Sequence, residues 1–95
     1  MKEKTITNQI LKYLKSLSEC FAFKEHGGLY GTSGIPDIIV CYKGKFVAFE
    51  VKTEKGKLSK LQEITIEKIK NANGMAFKVT NLEEVEEILK GVMPE

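Results

Sequence analysis

The sequence predicts an α/β fold, a mixed four-stranded sheet flanked by helices, in the order αβββαβ with one further C-terminal helix. Three patterns carry that prediction. Apolar residues recur at helical spacing near both ends of the chain. Four short apolar runs, each bounded by glycine or by polar turns, have the length and composition of strands. Between the third and fourth runs, Ser59-Lys60-Leu61-Gln62 has the form of a capping box, which opens a helix. Two strands joined through a helix become parallel, right-handed neighbours, so the sheet is mixed.

Ile6, Ile10, Leu11, Leu14 and Leu17 lie on one helical stripe and predict a helix over residues 3–17. Phe21-Ala22-Phe23-Lys24-Glu25 reads as the first strand. The loop from His26 to Gly34 holds four of the eight glycines and lets backbone amides approach a ligand closely. It is no phosphate-binding loop, because no Gly-Lys-Ser/Thr follows. Residues 36–42 and 46–52 both alternate as strands do. If Lys43-Gly44 is a two-residue turn between them, 42 pairs with 45 and 37 with 50. The second helix begins at the Ser59 cap and runs to about Asn73, with Gly74 as its stop. Met75–Val79 is the fourth strand. Asn81 caps a last helix that uses Leu82, Val85, Ile88 and Leu89 and ends at Gly91.

Ninety-five residues with a hydrophobic share of 42% fill one core and predict a single domain over residues 1–95. All 15 basic residues are lysine and none is arginine. Bidentate reading of guanine is mainly an arginine function, so the composition suits phosphate contact without sequence preference. Residues 1–60 carry 11 Lys against 6 acids, whereas residues 61–95 carry 4 Lys against 7. Cys20 and Cys41 lie in apolar runs with no CxxC or histidine partners, which predicts buried, reduced thiols and argues against zinc. No run approaches the ~18 apolar residues of a membrane span, and no leader-like segment opens the chain. The expected compartment is the cytoplasm.

The chemistry concentrates on the hairpin. Asp37 is the only aspartate in the chain, and a two-residue turn would set it opposite Glu50, with Cβ atoms roughly 5 Å apart, whereas a bulge at the turn would shift the pairing by one. Two carboxylates that close destabilise a sheet unless a cation neutralises them. Lys52, two residues past Glu50, points to the same face and can stabilise charge developing on a phosphate. Lys24, Ser33 and Lys57 are candidate phosphate contacts, each equally compatible with plain exposure. Tyr30 either stacks on a base or pins its loop. His26, the sole histidine, has no partner in sequence and reads as a bystander.

Pro36-Asp37, a gap, and Glu50-Val51-Lys52 resemble the signature of the PD-(D/E)xK nucleases. Gly31-Thr32-Ser33-Gly34-Ile35-Pro36-Asp37 and Phe49-Glu50-Val51-Lys52 with Gly56-Lys57-Leu58-Ser59-x-x-Gln62 are similar to the VRR-Nuc group, the virus-type replication-repair nucleases, within that superfamily. Glu3-x-x-Ile6-x-x-x-Ile10 resembles the group's acid-bearing first helix, so the likeness runs from about residue 3 to residue 80.

The resemblance implies a restriction-endonuclease-like core and a DNA endonuclease dependent on Mg²⁺ or Mn²⁺, with Asp37, Glu50 and the Val51 carbonyl as metal ligands and Lys52 as catalyst. It also implies that Glu3 is a further metal-site carboxylate and that Gln62 stands close to the site. Glu3 equally serves the helix dipole, and the capping box is a complete alternative for Gln62. Stand-alone members of the group resemble homodimers that cut branched DNA such as four-way (Holliday) junctions, without a membrane or a nucleotide cofactor. A phage or mobile-element origin fits such a domain. The alternatives are a flap-type or general DNA nuclease, or a catalytically silent DNA-binding module on the same fold.

Overall fold

The computed structural model describes residues 1–26 and 34–92. The elements are α1 (Glu3–Lys15), β1 (Cys20–Lys24), β2 (Ile38–Tyr42), β3 (Lys45–Val51), α2 (Lys60–Asn71), β4 (Met75–Val79) and α3 (Leu82–Lys90). The four strands form one sheet in the order β1-β2-β3-β4. The pairs β1–β2 and β2–β3 are antiparallel, and β3–β4 is parallel through the α2 crossover. This is the αβββαβα arrangement expected from the pattern.

The hairpin register follows from its turn. Lys43 and Gly44 both take positive φ, 52° and 83°, as a two-residue turn that matches strand twist requires. Tyr42 therefore pairs with Lys45, and the pairing runs back to Ile38 opposite Phe49. One step further brings Asp37 opposite Glu50.

Helices cover the two sheet faces unequally. On one face, Ile6, Ile10 and Leu14 of α1 and Val85 and Leu89 of α3 pack on Ile38, Val40, Val47, Phe49, Val51 and Val79. Burying each such side chain contributes about 1.5–3 kcal/mol, so this layer holds the molecule together. On the other face, Ile66 and Ile69 of α2 pack on Ala48 and Ala76, with Ile39 and Leu58 alongside. The small alanines let α2 lie close to β3 and β4. Among the described residues no helix packs on the α2 side of β1, and Phe21, Phe23 and Cys41 are exposed there.

Two local features differ from expectation. The left-handed residue ending α2 is Asn73, at φ 70°, and not Gly74. Asn73 N donates to Lys70 O and Gly74 N to Ile69 O, a Schellman motif with asparagine at C′ and glycine one place later. The thiols also differ from the reading as buried: both are free, but Cys41 is exposed and Cys20 only half-buried. Cys41 faces the α2 side of β2, which α2 does not reach. Burial and the nearby Cys41 push the Cys20 thiol up. Among the described residues no helix is long and apolar enough to cross a membrane.

Candidate active site at the end of the hairpin

Asp37 reaches its place through the segment before it. Pro36 is fully buried, and Gly34 takes φ +84°. A Cβ on Gly34 would lie 2.8 Å from Leu61 Cγ and 2.9 Å from Thr65 Oγ1, so only glycine lets this segment press against the first turns of α2. Glu25 N then donates to the Asp37 carbonyl at 2.7 Å, continuing the β1–β2 ladder past its last strand residue. The Asp37 side chain turns toward β3, where its Oδ2 accepts the Val51 N–H at 2.9 Å. A strand residue sends its N–H and C=O to the same side, so the Val51 carbonyl also faces Asp37.

Glu50 is 3% exposed, the one buried carboxylate among the described residues. Its Oε2 accepts from Gln62 Nε2 at 3.1 Å and lies 3.8 Å from Lys52 Nζ. Lys52 thus shares the face of Glu50, as alternation predicts. Its side chain lies beside Gly56, where an added Cβ would approach Lys52 Cβ to 3.1 Å.

The Glu50 carboxyl is pushed up to about 8. Burial is the main cause, followed by the Asp37 charge and a hydrogen bond shared with the Asp37 carboxyl. Lys52 opposes the shift, and Glu3 adds a smaller push. A carboxyl that binds a proton this tightly is a carboxylate short of positive charge, and a divalent cation would supply it. Two carboxylates and a carbonyl form an all-oxygen donor set, which fits magnesium or manganese.

Glu3 begins α1 and is exposed. Its charge is felt at Glu50, yet among the described residues no group of three His, Cys, Asp or Glu side chains converges as a metal cluster. Gln62 fills both of its alternatives at once. Its Oε1 accepts from Ser59 N at 2.8 Å and Ser59 Oγ accepts from Gln62 N at 3.1 Å, closing the capping box, while Nε2 remains for Glu50. The primary amide can do both because its acceptor and its donor are different atoms.

Lys24 is half-buried at the end of β1, while Lys57 and His26 are exposed. Ser33 and Tyr30 lie outside the described residues. Two charged neighbours escaped the sequence reading. Lys78 pairs with Glu50 across the parallel β3–β4 ladder, and Glu25 stands opposite Asp37 by continuation of β1–β2. Neither register follows from a turn that local sequence specifies.

The comparisons with known proteins agree with this fold. A family model described as the VRR-NUC domain matches residues 3–82. Among solved structures, a VRR_NUC domain at 22% identity superposes with a TM-score of 0.79, covering 96% of this chain and 97% of its own. A VRR_NUC domain protein at 14% identity reaches 0.76 over 95% and 86%. Among curated proteins none matches. With the family match running from the first residue of α1 to the first of α3, the chain belongs to the VRR-NUC domain family, a family of nuclease-type domains that act on DNA.

Proposed function

We propose that this protein is a metal-dependent endodeoxyribonuclease that selects branched DNA, four-way junctions above all, and works as a homodimer. The observation that carries the catalytic part is Glu50, buried and proton-hungry beside Asp37, with Lys52 on the same face. Asp37, Glu50 and the Val51 carbonyl would hold Mg²⁺ or Mn²⁺. A cation bound there offsets phosphate charge and makes a water a stronger nucleophile at neutral pH.

The side chains divide the remaining work. Gln62 and Lys52 both engage Glu50 Oε2, which orients the carboxylate and leaves Oε1 as its ligand oxygen. Asp37 is held likewise by the Val51 amide on Oδ2, with Oδ1 left over. The Lys52 ammonium stabilises the charge that grows on the non-bridging phosphate oxygens as water oxygen bonds to phosphorus. The bond from phosphorus to O3′ breaks, the departing oxygen takes up a proton, and 5′-phosphate and 3′-hydroxyl ends remain. Lys24 and Lys57 would contribute phosphate contacts, as would Ser33.

Branched substrates are favoured by two properties. Lysine without arginine supports affinity for the backbone and little reading of bases. A two-fold particle with two active sites matches the two equivalent scissile positions of a four-way junction. The test is cleavage by purified protein with Mg²⁺ or Mn²⁺ on junction, flap, single-stranded and linear duplex DNA of shared sequence. Preferred, paired incision of the junction is expected. Equal cleavage of all four would leave a general nuclease, and binding without cleavage under either metal would leave a silent DNA-binding module.

A further inference from the structure

We infer that the exposed half of the sheet, the α2 side of β1 and β2, is the surface on which a second copy of this chain docks. This rests on the homodimer reading above and adds to it the place of contact.

The register puts an aromatic row on this surface. Phe21 pairs with Cys41 and Cys41 with Phe46, so the three side chains stand together on one face. Phe23, opposite Ile39, extends the row, and its ring centroid lies 6.0 Å from that of Phe21. Phe21 is 69% exposed, Phe23 42% and Phe46 44%. Isolated exposed apolar residues are ordinary, but a contiguous aromatic patch on an edge strand is a liability that folded proteins cover.

Beside the patch runs a groove of about 600 Å³, between Phe46 and Ile35 on one side and α2 on the other. On α2 the lining residues are Leu61, Thr65, Lys68 and Ile69, at i, i+4, i+7 and i+8, followed by Ala72 at the C-cap. Leu61 is 47% exposed. Each chain therefore presents two halves on one face: an exposed aromatic sheet surface and a helix flank on which Leu61, Ile69 and Ala72 are interleaved with Thr65 and Lys68. A two-fold rotation brings the helix flank of each copy over the sheet surface of the other and completes the helical layer that α2 alone leaves unfinished. Such reciprocity is the mark of an isologous interface.

Area and charge favour the same occupant. The three phenylalanines and Leu61 together expose about 400 Å² per copy. At an interface about two-thirds apolar, two copies would bury about 1,200 Å² in all, the lower end of specific association. Among the described residues, the only charged one lining the groove is Lys68. A nearly neutral face can meet its own copy without repulsion, whereas a DNA backbone needs several cations. Asp37 precedes β2 and lies two residues from Ile39, at the Phe23 end of the row, about 7 Å along the strand, so the catalytic end of the hairpin borders the patch.

The experiment is molar mass by light scattering and sedimentation, from about 1 to 100 μM, for the whole chain, for Phe21→Glu and Phe46→Glu, and for Ile64→Glu as control. Ile64 is 40% exposed but borders the other flank of α2, with Lys60, Glu63 and Glu67. The expected result is a dimer for the unaltered chain and for Ile64→Glu, with at least a tenfold weaker dimer for both phenylalanine variants and unchanged circular dichroism. A dimer that survives both phenylalanine substitutions overturns this surface and leaves the homodimer reading standing. A monomer in the unaltered chain overturns both. If Phe21→Glu remains dimeric but binds four-way junction DNA at least tenfold more weakly, the occupant is nucleic acid and the second-copy assignment is wrong.

Discussion

Gln62 ties the second helix to the buried carboxylate: Nε2 donates to Glu50 Oε2 at 3.1 Å while Oε1 accepts from Ser59 N at 2.8 Å. Fold and site therefore share one side chain, and a substitution can separate them. Gln62→Glu keeps an acceptor for the capping box but removes the donor to Glu50. Stability should stay within about 1 kcal/mol of the parent, while cleavage falls at least tenfold. Denaturant melts and single-turnover rates measured on the same preparation check the pair. A large stability loss with normal rates would show that the amide serves only the helix.

Lys52→Ala should lower the single-turnover rate by roughly 10²–10⁴-fold and leave junction affinity within about threefold, since the ammonium acts on charge that develops in the transition state. Its position 3.8 Å from Glu50 Oε2 motivates this. Rates at saturating protein and binding measured in Ca²⁺ distinguish it from a plain surface charge, for which rate and affinity would both hold.

The two acids should be separable from the fold by metal titration. Asp37→Asn retains an oxygen to accept the Val51 N–H, so the hairpin end survives. The parent should gain thermal stability from Mn²⁺, about 4–8 °C in Tm for each kcal/mol of binding, and the variant should gain almost none. Chelation should return the parent to the metal-free Tm. Equal gains in both proteins would remove Asp37 from the metal site.

Proton binding at Glu50 gives a pH signature with a definite sign. The folded carboxyl titrates near 8 and the ordinary value is 4.5, so its contribution to metal-free stability is fully present below about pH 4.5 and is lost as pH rises through about 8. In chelator, Tm should fall between pH 5 and pH 8.5 by about 4 °C or more, and Glu50→Gln should flatten that slope. Added Mn²⁺ displaces the proton, so metal stabilisation should grow over the same window. A parent slope equal to that of Glu50→Gln would show that Glu50 titrates normally.

Gly56→Ala tests whether the turn after β3 positions the lysine. The new methyl would press on Lys52 Cβ at 3.1 Å. A severalfold loss in cleavage rate with unchanged metal stabilisation is expected. An unaltered rate would show that Lys52 adjusts freely.

Much of this molecule was determined by local sequence alone. Lys43-Gly44 favours a two-residue turn, the turn sets the register, and a side-chain period of two then places Asp37 opposite Glu50 and Lys52 on the same face. Ser59 with Gln62, and Asn81 before α3, likewise write helix starts in short range. Tertiary structure decided what depends on neighbours distant in sequence. The parallel β3–β4 register that sets Lys78 beside Glu50 is fixed by how α2 packs, because no turn joins those strands. The two simultaneous bonds of Gln62 require α2 to start over the end of β3. The exposure of Cys41, Phe21 and Phe46 contradicts their apolar character because α2 is wide enough to cover only half a sheet. Alternation shows which residues share a face; only packing determines what covers it.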